Sequence, residues 1–152
     1  MKTQLIIIAF SAIALLATTR TTVLAQTKPA PRPMAKSGEA VTVWAYPVKA
    51  DKRKQYEHFV HDIFWPGAAK LSASGQRVFR QTRVMHPTKA NTYGSYTYMF
   101  IMDPYIVGED YDIESLVKKM YGAKQGAEHY KLFAGAVVAG KDVGYRVMQS
   151  KD

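Results

Sequence analysis

Along this chain the spacing of apolar and polar positions changes in steps, and each step predicts a different element. Leu5 to Ala17 is apolar throughout except for Ser11, with Lys2 before it and Thr18, Thr19 and Arg20 after it. A membrane-spanning helix needs about 20 apolar residues, and this run is shorter. A positive start, an apolar middle and the small-residue close at Val23-Leu24-Ala25 predict a secretory signal peptide over residues 1–25, cleaved after Ala25. From Gln26 to Gly38 three prolines and three cations accompany a single large apolar residue, Met34. That composition cannot form a core, so residues 26–40 read as an extended, mobile tether. Residues 41–150 read as the folded domain.

Within the domain, Val41 to Tyr46 is β-branched and aromatic and predicts a strand ending at Pro47. Asp51 then opens a helix whose apolar positions, Tyr56, Phe59, Val60, Ile63 and Phe64, recur at three and four. Pro66-Gly67 is expected to break or kink it. Gln76 to Met85 mixes Val78, Phe79, Val84 and Met85 with Arg77, Arg80 and Arg83, the pattern of a partly exposed strand. Tyr93 to Met102 is the most β-prone segment. It is uncharged on both faces, as expected of an inner strand covered on both sides. Ile113, Leu116, Val117, Met120 and Tyr121 make a helical stripe with Asp112 as its N-cap. Gly122 and Gly126 are expected to interrupt this helix before Tyr130 and Phe133 resume the spacing. Val143, Tyr145 and Val147 alternate with Gly144, Arg146 and Met148 as a last strand.

The resulting order is strand, helix, strand, strand, helix, strand. It resembles the ferredoxin-like βαββαβ arrangement of the α+β class, an antiparallel sheet with helices on one face. Because the Tyr93–Met102 segment leaves an apolar row over, it resembles in particular the dimeric α/β-barrel superfamily. That group includes antibiotic-biosynthesis-monooxygenase-like, haem-degrading and stress-responsive barrel proteins. The expected partner is a second copy of the chain, since large exposed apolar patches mark interfaces.

Composition narrows the chemistry. With no cysteine among 152 residues, disulfides, thiolate zinc sites and cysteine nucleophiles are excluded. The formal net charge is +9. In an exported, periplasmic or secreted protein this charge does not point to nucleic acid, and the cations come singly or in short clusters such as Lys52-Arg53-Lys54, as on a solvated surface. No stable membrane span is expected after signal cleavage. Glycine-rich phosphate loops, serine nucleophile elbows and the HExxH metal pattern are absent from the sequence.

The densest cluster of polar chemistry is Glu57, His58, His61, Asp62 and Trp65. A helical wheel puts His58 and Asp62 outward and His61 near the border, with Glu57–His61 and His58–Asp62 as expected side-chain pairs. Trp65, freed from the wheel by Pro66, is placed with His61 at the rim of any pocket, or packs structurally at the helix kink. Tyr96 and Tyr98 face either the helices or a partner sheet; Arg80 and Arg83 sit on opposite faces of their strand. His86 and His129 lack a carboxylate partner in sequence. The family resemblance implies a pocket for a small aromatic or hydrophobic molecule, handled without metal or organic cofactor. A cofactor-independent oxygenase using His61, Trp65, Tyr98 and His129 as catalytic residues is one implied activity. Haem binding is a branch of the same idea, although the haem-degrading Asn, Trp and His triad does not map onto this chain. A non-catalytic exported small-molecule-binding protein is the alternative, and whether the chain is an enzyme stays open at this point.

Overall fold

The computed structural model describes residues 32–151. Four strands form one antiparallel sheet. The central strand β1 (Ala40–Val48) is rich in branched and aromatic residues, which suits a pleated, half-buried surface. The remaining strands are β2 (Thr82–Met85), β3 (Tyr96–Met102) and β4 (Val143–Met148), and the order across the sheet is β2-β3-β1-β4. In register, Val43 lies between Ile101 on β3 and Tyr145 on β4. Side chains alternate in direction along a strand. One row therefore carries Val48, Tyr98, Phe100 and Met102 into the core, and the opposite row carries Val43, Met99, Ile101 and Tyr145. β3 lies inside the sheet, between β2 and β1, but only its helix-side row is covered, since Met99 on the other face is exposed, and it begins at Tyr96 and not at Tyr93. Asn91 explains the late start: its Oδ1 accepts from the Tyr93 and Ser95 amides at 3.0 and 3.1 Å, curling the segment into a turn that leaves Tyr93 at the surface.

Helices cover the first face. The run after β1 comprises a 3-10 turn (Ala50–Lys52), α1 (Arg53–His58), a π-helical segment (Phe59–Phe64), α2 (Trp65–Gly67) and a second 3-10 turn (Ala68–Lys70). Tyr56, Phe59, Val60, Ile63 and Phe64 are buried, as the spacing predicts. Pro66-Gly67 does not stop the helical run, but the helix changes type around it: a π-helical segment leads into Pro66, a 3-10 turn follows Gly67, and the turns end at Lys70.

The expected strand over Gln76–Met85 is mostly helix. The helix α3 (Ala73–Gln81) is capped by Ser72, whose Oγ accepts from the Gly75 amide at 3.3 Å, and only Thr82–Met85 is extended. Val78 and Phe79 are both buried between exposed Arg77 and Arg80. Two adjacent inward positions fit one side of a helix, whereas a strand would send them to opposite faces. Arg80 and Arg83 consequently belong to different elements.

The second helical layer is α4 (Ile113–Tyr121) and α5 (Ala123–Ala136). Asp112 caps α4 as expected, its Oδ1 accepting from the Ser115 amide at 2.7 Å. Gly122 separates the two helices at φ +81°, but Gly126 does not interrupt anything. It is buried within α5, where a Cβ would come within 2.5 Å of the Lys118 Cα. The end of α5 is tied to the end of β1 by the Val138 amide, which donates to the Pro47 carbonyl at 2.8 Å.

The described end of the proline-rich segment lies along the domain. The Ala35 amide donates to Asp103 Oδ1 at 2.6 Å, and the Gly38 amide donates to the Gln149 carbonyl at 3.0 Å. The expected signal segment, residues 1–25, lies outside the described residues. Among the described residues no helix is long and apolar enough to cross a membrane.

Candidate functional site

A groove of about 680 Å³ lies on the helix side of the sheet, under the β4 edge. Its floor is built by strand alternation: Thr42, Trp44 and Tyr46 of β1 point to this side, opposite Arg146 and Gly144 of β4. Gly144 contributes no side chain, and the Trp44 ring fills the space above it, so that a Cβ there would meet the indole at 3.0 Å. Helix α5 supplies Tyr130 and Phe133 as one wall, and the loop before α4 supplies Tyr105 and Tyr111 as the other. Every residue of β4 is exposed, so the helices leave this strip of sheet uncovered.

The aromatic rings are locked against one another. Trp44 and Tyr46 stack at 6.3 Å, Tyr46 meets Phe133 edge-on at 5.2 Å, and Tyr105 stacks on Tyr111 at 4.7 Å. The Tyr111 hydroxyl accepts from the Ile106 amide at 2.9 Å, fixing the loop wall. Such contacts add specific geometry to apolar burial. Three charged side chains line the groove: Asp112, Asp142 and Arg146. The Arg146 guanidinium lies 4.6 Å from the Tyr105 ring centre, at cation–π distance. Burial, reinforced by the charges of Asp142 and Asp112, pushes the Tyr46 phenol up to about 12. Tyr130 is raised by burial first, then by Glu114, Asp112 and Asp142. Both phenols therefore remain neutral hydrogen-bonding groups at ordinary pH.

None of the four residues expected to act, His61, Trp65, Tyr98 and His129, lines this groove. His61 and Trp65 share a different recess of about 350 Å³ beside β2, with Arg32, Arg83 and His86. His86, unpartnered in sequence terms, stacks on His61 at 5.1 Å and meets Tyr98 edge-on at 5.4 Å. Tyr98 is fully buried, facing the helices; its hydroxyl donates to Glu57 Oε1 and accepts from Arg53 Nε at 3.3 Å. Burial raises the Tyr98 phenol, and the Glu57 bond raises it further while Arg53 opposes this. Glu57 is thus engaged by Tyr98 and Arg53 and not by His61 as expected, whereas the His58–Asp62 pair is present at 2.8 Å. His129 lies apart from the others, edge-on to Tyr121 at 4.6 Å. Arg83 is paired with Asp103.

Only part of the groove has a sequence signal: Trp44 and Tyr46 share one face of a strand, whereas nothing in the spacing of Tyr105 and Tyr111 places them beside it. Among the described residues no cluster of three or more histidine, aspartate and glutamate side chains is arranged to hold a metal ion. Comparison with known proteins finds no matching family model, no similar curated protein and no similar solved structure.

Proposed function

We propose that this chain is an exported, ferredoxin-like subunit of a dimeric α/β barrel that binds a small aromatic or hydrophobic molecule in the groove under β4. The observation that carries the reading is the groove itself: about 680 Å³ bounded by Trp44, Tyr46, Tyr105, Tyr111, Tyr130 and Phe133. Small-molecule sites have volumes of roughly 300–1,000 Å³, apolar walls and a few placed polar groups. Rings already locked by mutual stacking lose little freedom when a flat ligand slides between them, which favours affinity. The sheet order β2-β3-β1-β4 and the succession of elements support the ferredoxin-like assignment. The apolar row of Val43, Met99, Ile101 and Tyr145 opposite the helices supports pairing with a second copy.

Binding is the activity this reading commits to, because neither His61 nor His129, expected from the sequence to act, lines the groove. The test is calorimetric titration with three probes of one shape: 1-naphthalenemethanol, 1-naphthylmethylamine and 1-naphthoate. At least one is expected to bind saturably, one per subunit, and to lose tenfold or more in affinity in Trp44→Ala with the circular dichroism unchanged. Binding by none of them overturns the groove. Binding that survives Trp44→Ala but is lost in His61→Ala moves the ligand to the recess beside β2.

A further inference from the structure

We infer that the groove selects an organic cation: a molecule that couples an aromatic or apolar body to a protonated amine. This rests on the groove being the binding site, and two independent observations lead to it. First, the lining includes several electron-rich rings, among them Trp44, Tyr105 and Tyr130, and the faces of such rings attract cations. The protein already demonstrates this at the site, since the Arg146 guanidinium rests on the Tyr105 ring at 4.6 Å.

Second, the charged lining is Asp112, Asp142 and Arg146, two negative groups against one positive. The rim is therefore net acidic on a chain whose overall charge is +9. At physiological salt the field of distant surface cations is screened beyond about 8 Å, so the nearby carboxylates decide which ligand charge is favoured. Their field reaches inward, since both raise the Tyr46 and Tyr130 phenols. Asp142 forms no ion pair among the described residues, and Asp112 is occupied only by capping the Ser115 amide. An amine entering the groove thus finds carboxylates available to it.

The same three probes test the charge preference separately from the site. At neutral pH 1-naphthylmethylamine is cationic, 1-naphthalenemethanol is its near-isosteric neutral counterpart and 1-naphthoate is anionic. The amine is expected to bind tenfold or more tighter than the alcohol and more tightly still than the acid. Asp112→Asn with Asp142→Asn, in which asparagine keeps the α4 cap, is expected to erase most of that preference while leaving the alcohol's affinity within about twofold. Arg146→Gln is expected to strengthen amine binding several-fold. Binding of the alcohol or the acid as tightly as the amine, or an amine preference unchanged in the Asp112→Asn, Asp142→Asn protein, overturns the inference and leaves the groove standing. Binding of no probe at all overturns the groove, and the inference with it.

Discussion

Tyr46 and Tyr56 show how single residues tie this core to its conditions. Tyr46 sits where the core meets the groove, edge-on to Phe100 and Phe133, and its phenol is pushed up to about 12. Tyr56 is fully buried against Tyr98 at 4.6 Å, its hydroxyl has no partner, and burial first, then Tyr46 and Tyr98, raises it well above 10.0. In the unfolded chain both return to the ordinary value, so above pH 10 the unfolded state loses protons that the folded state keeps. Their contribution is therefore complete below pH 10 and is lost as pH rises, for Tyr46 until about 12. Urea denaturation at pH 8, 10 and 11.5 is expected to show stability falling across that window. Tyr46→Phe is expected to flatten the slope by up to about 1.4 kcal/mol per pH unit. Equal slopes in the two proteins would place the alkaline sensitivity elsewhere.

At the scale of elements, α4 and α5 approach so closely at Gly126 that no side chain fits. A methyl there would lie 2.5 Å from the Lys118 Cα and 2.7 Å from the Val117 carbonyl oxygen, both backbone atoms that cannot swing aside. Alanine ordinarily favours a helix over glycine by about 1 kcal/mol, but forcing the helices apart costs roughly 1–3 kcal/mol or more. Gly126→Ala is expected to lower the thermal midpoint by several degrees. Gly135→Ala in the same helix meets only the end of the Gln55 side chain at 3.4 Å and is expected to hold or raise the midpoint. A rise in both variants would contradict the close crossing. The pair also marks what local sequence conveys. Helical spacing located α1, α4 and the Asp112 cap, because those depend on neighbours within a turn or two. Gly126 looks like an interruption until α4 is laid across it, and Val78-Phe79 looks strand-like until Ser72 is seen capping a helix. The groove was hidden for the same reason: Trp44, Tyr105 and Tyr130 are far apart in sequence and meet only through the β1–β4 pairing and the placement of α5.

At the scale of the molecule, the sheet has two unlike faces. The helix side buries Tyr98, Phe100 and Met102, while the other side presents Met99 at 39 %, Val143 at 44 % and Tyr145 at 56 % exposure, with Val41, Val43 and Ile101 between them. This apolar band reaches all four strands, since Met85 on β2 lies opposite Met99, with Arg83, paired to Asp103, beside it opposite Ile101. A contiguous surface of this kind is rarely left in water. A two-fold axis through its middle, near Val43, would bring identical rows together without demanding a complementary surface from another protein. The groove opens on the helix side, so pairing through this face leaves it accessible, and dimerisation and ligand binding are separable. Light scattering of the protein at micromolar concentration is expected to give twice the subunit mass. Val43→Glu with Met99→Lys, which puts unpaired charge at the centre of the band, is expected to shift it to the subunit mass with the helical signal retained. In that monomer the Trp44-dependent probe affinity is expected to stay within a few-fold of the parent value. A parent protein that already scatters as a single subunit would show that the band faces water, and the barrel would then lose its physical basis while the groove kept its own.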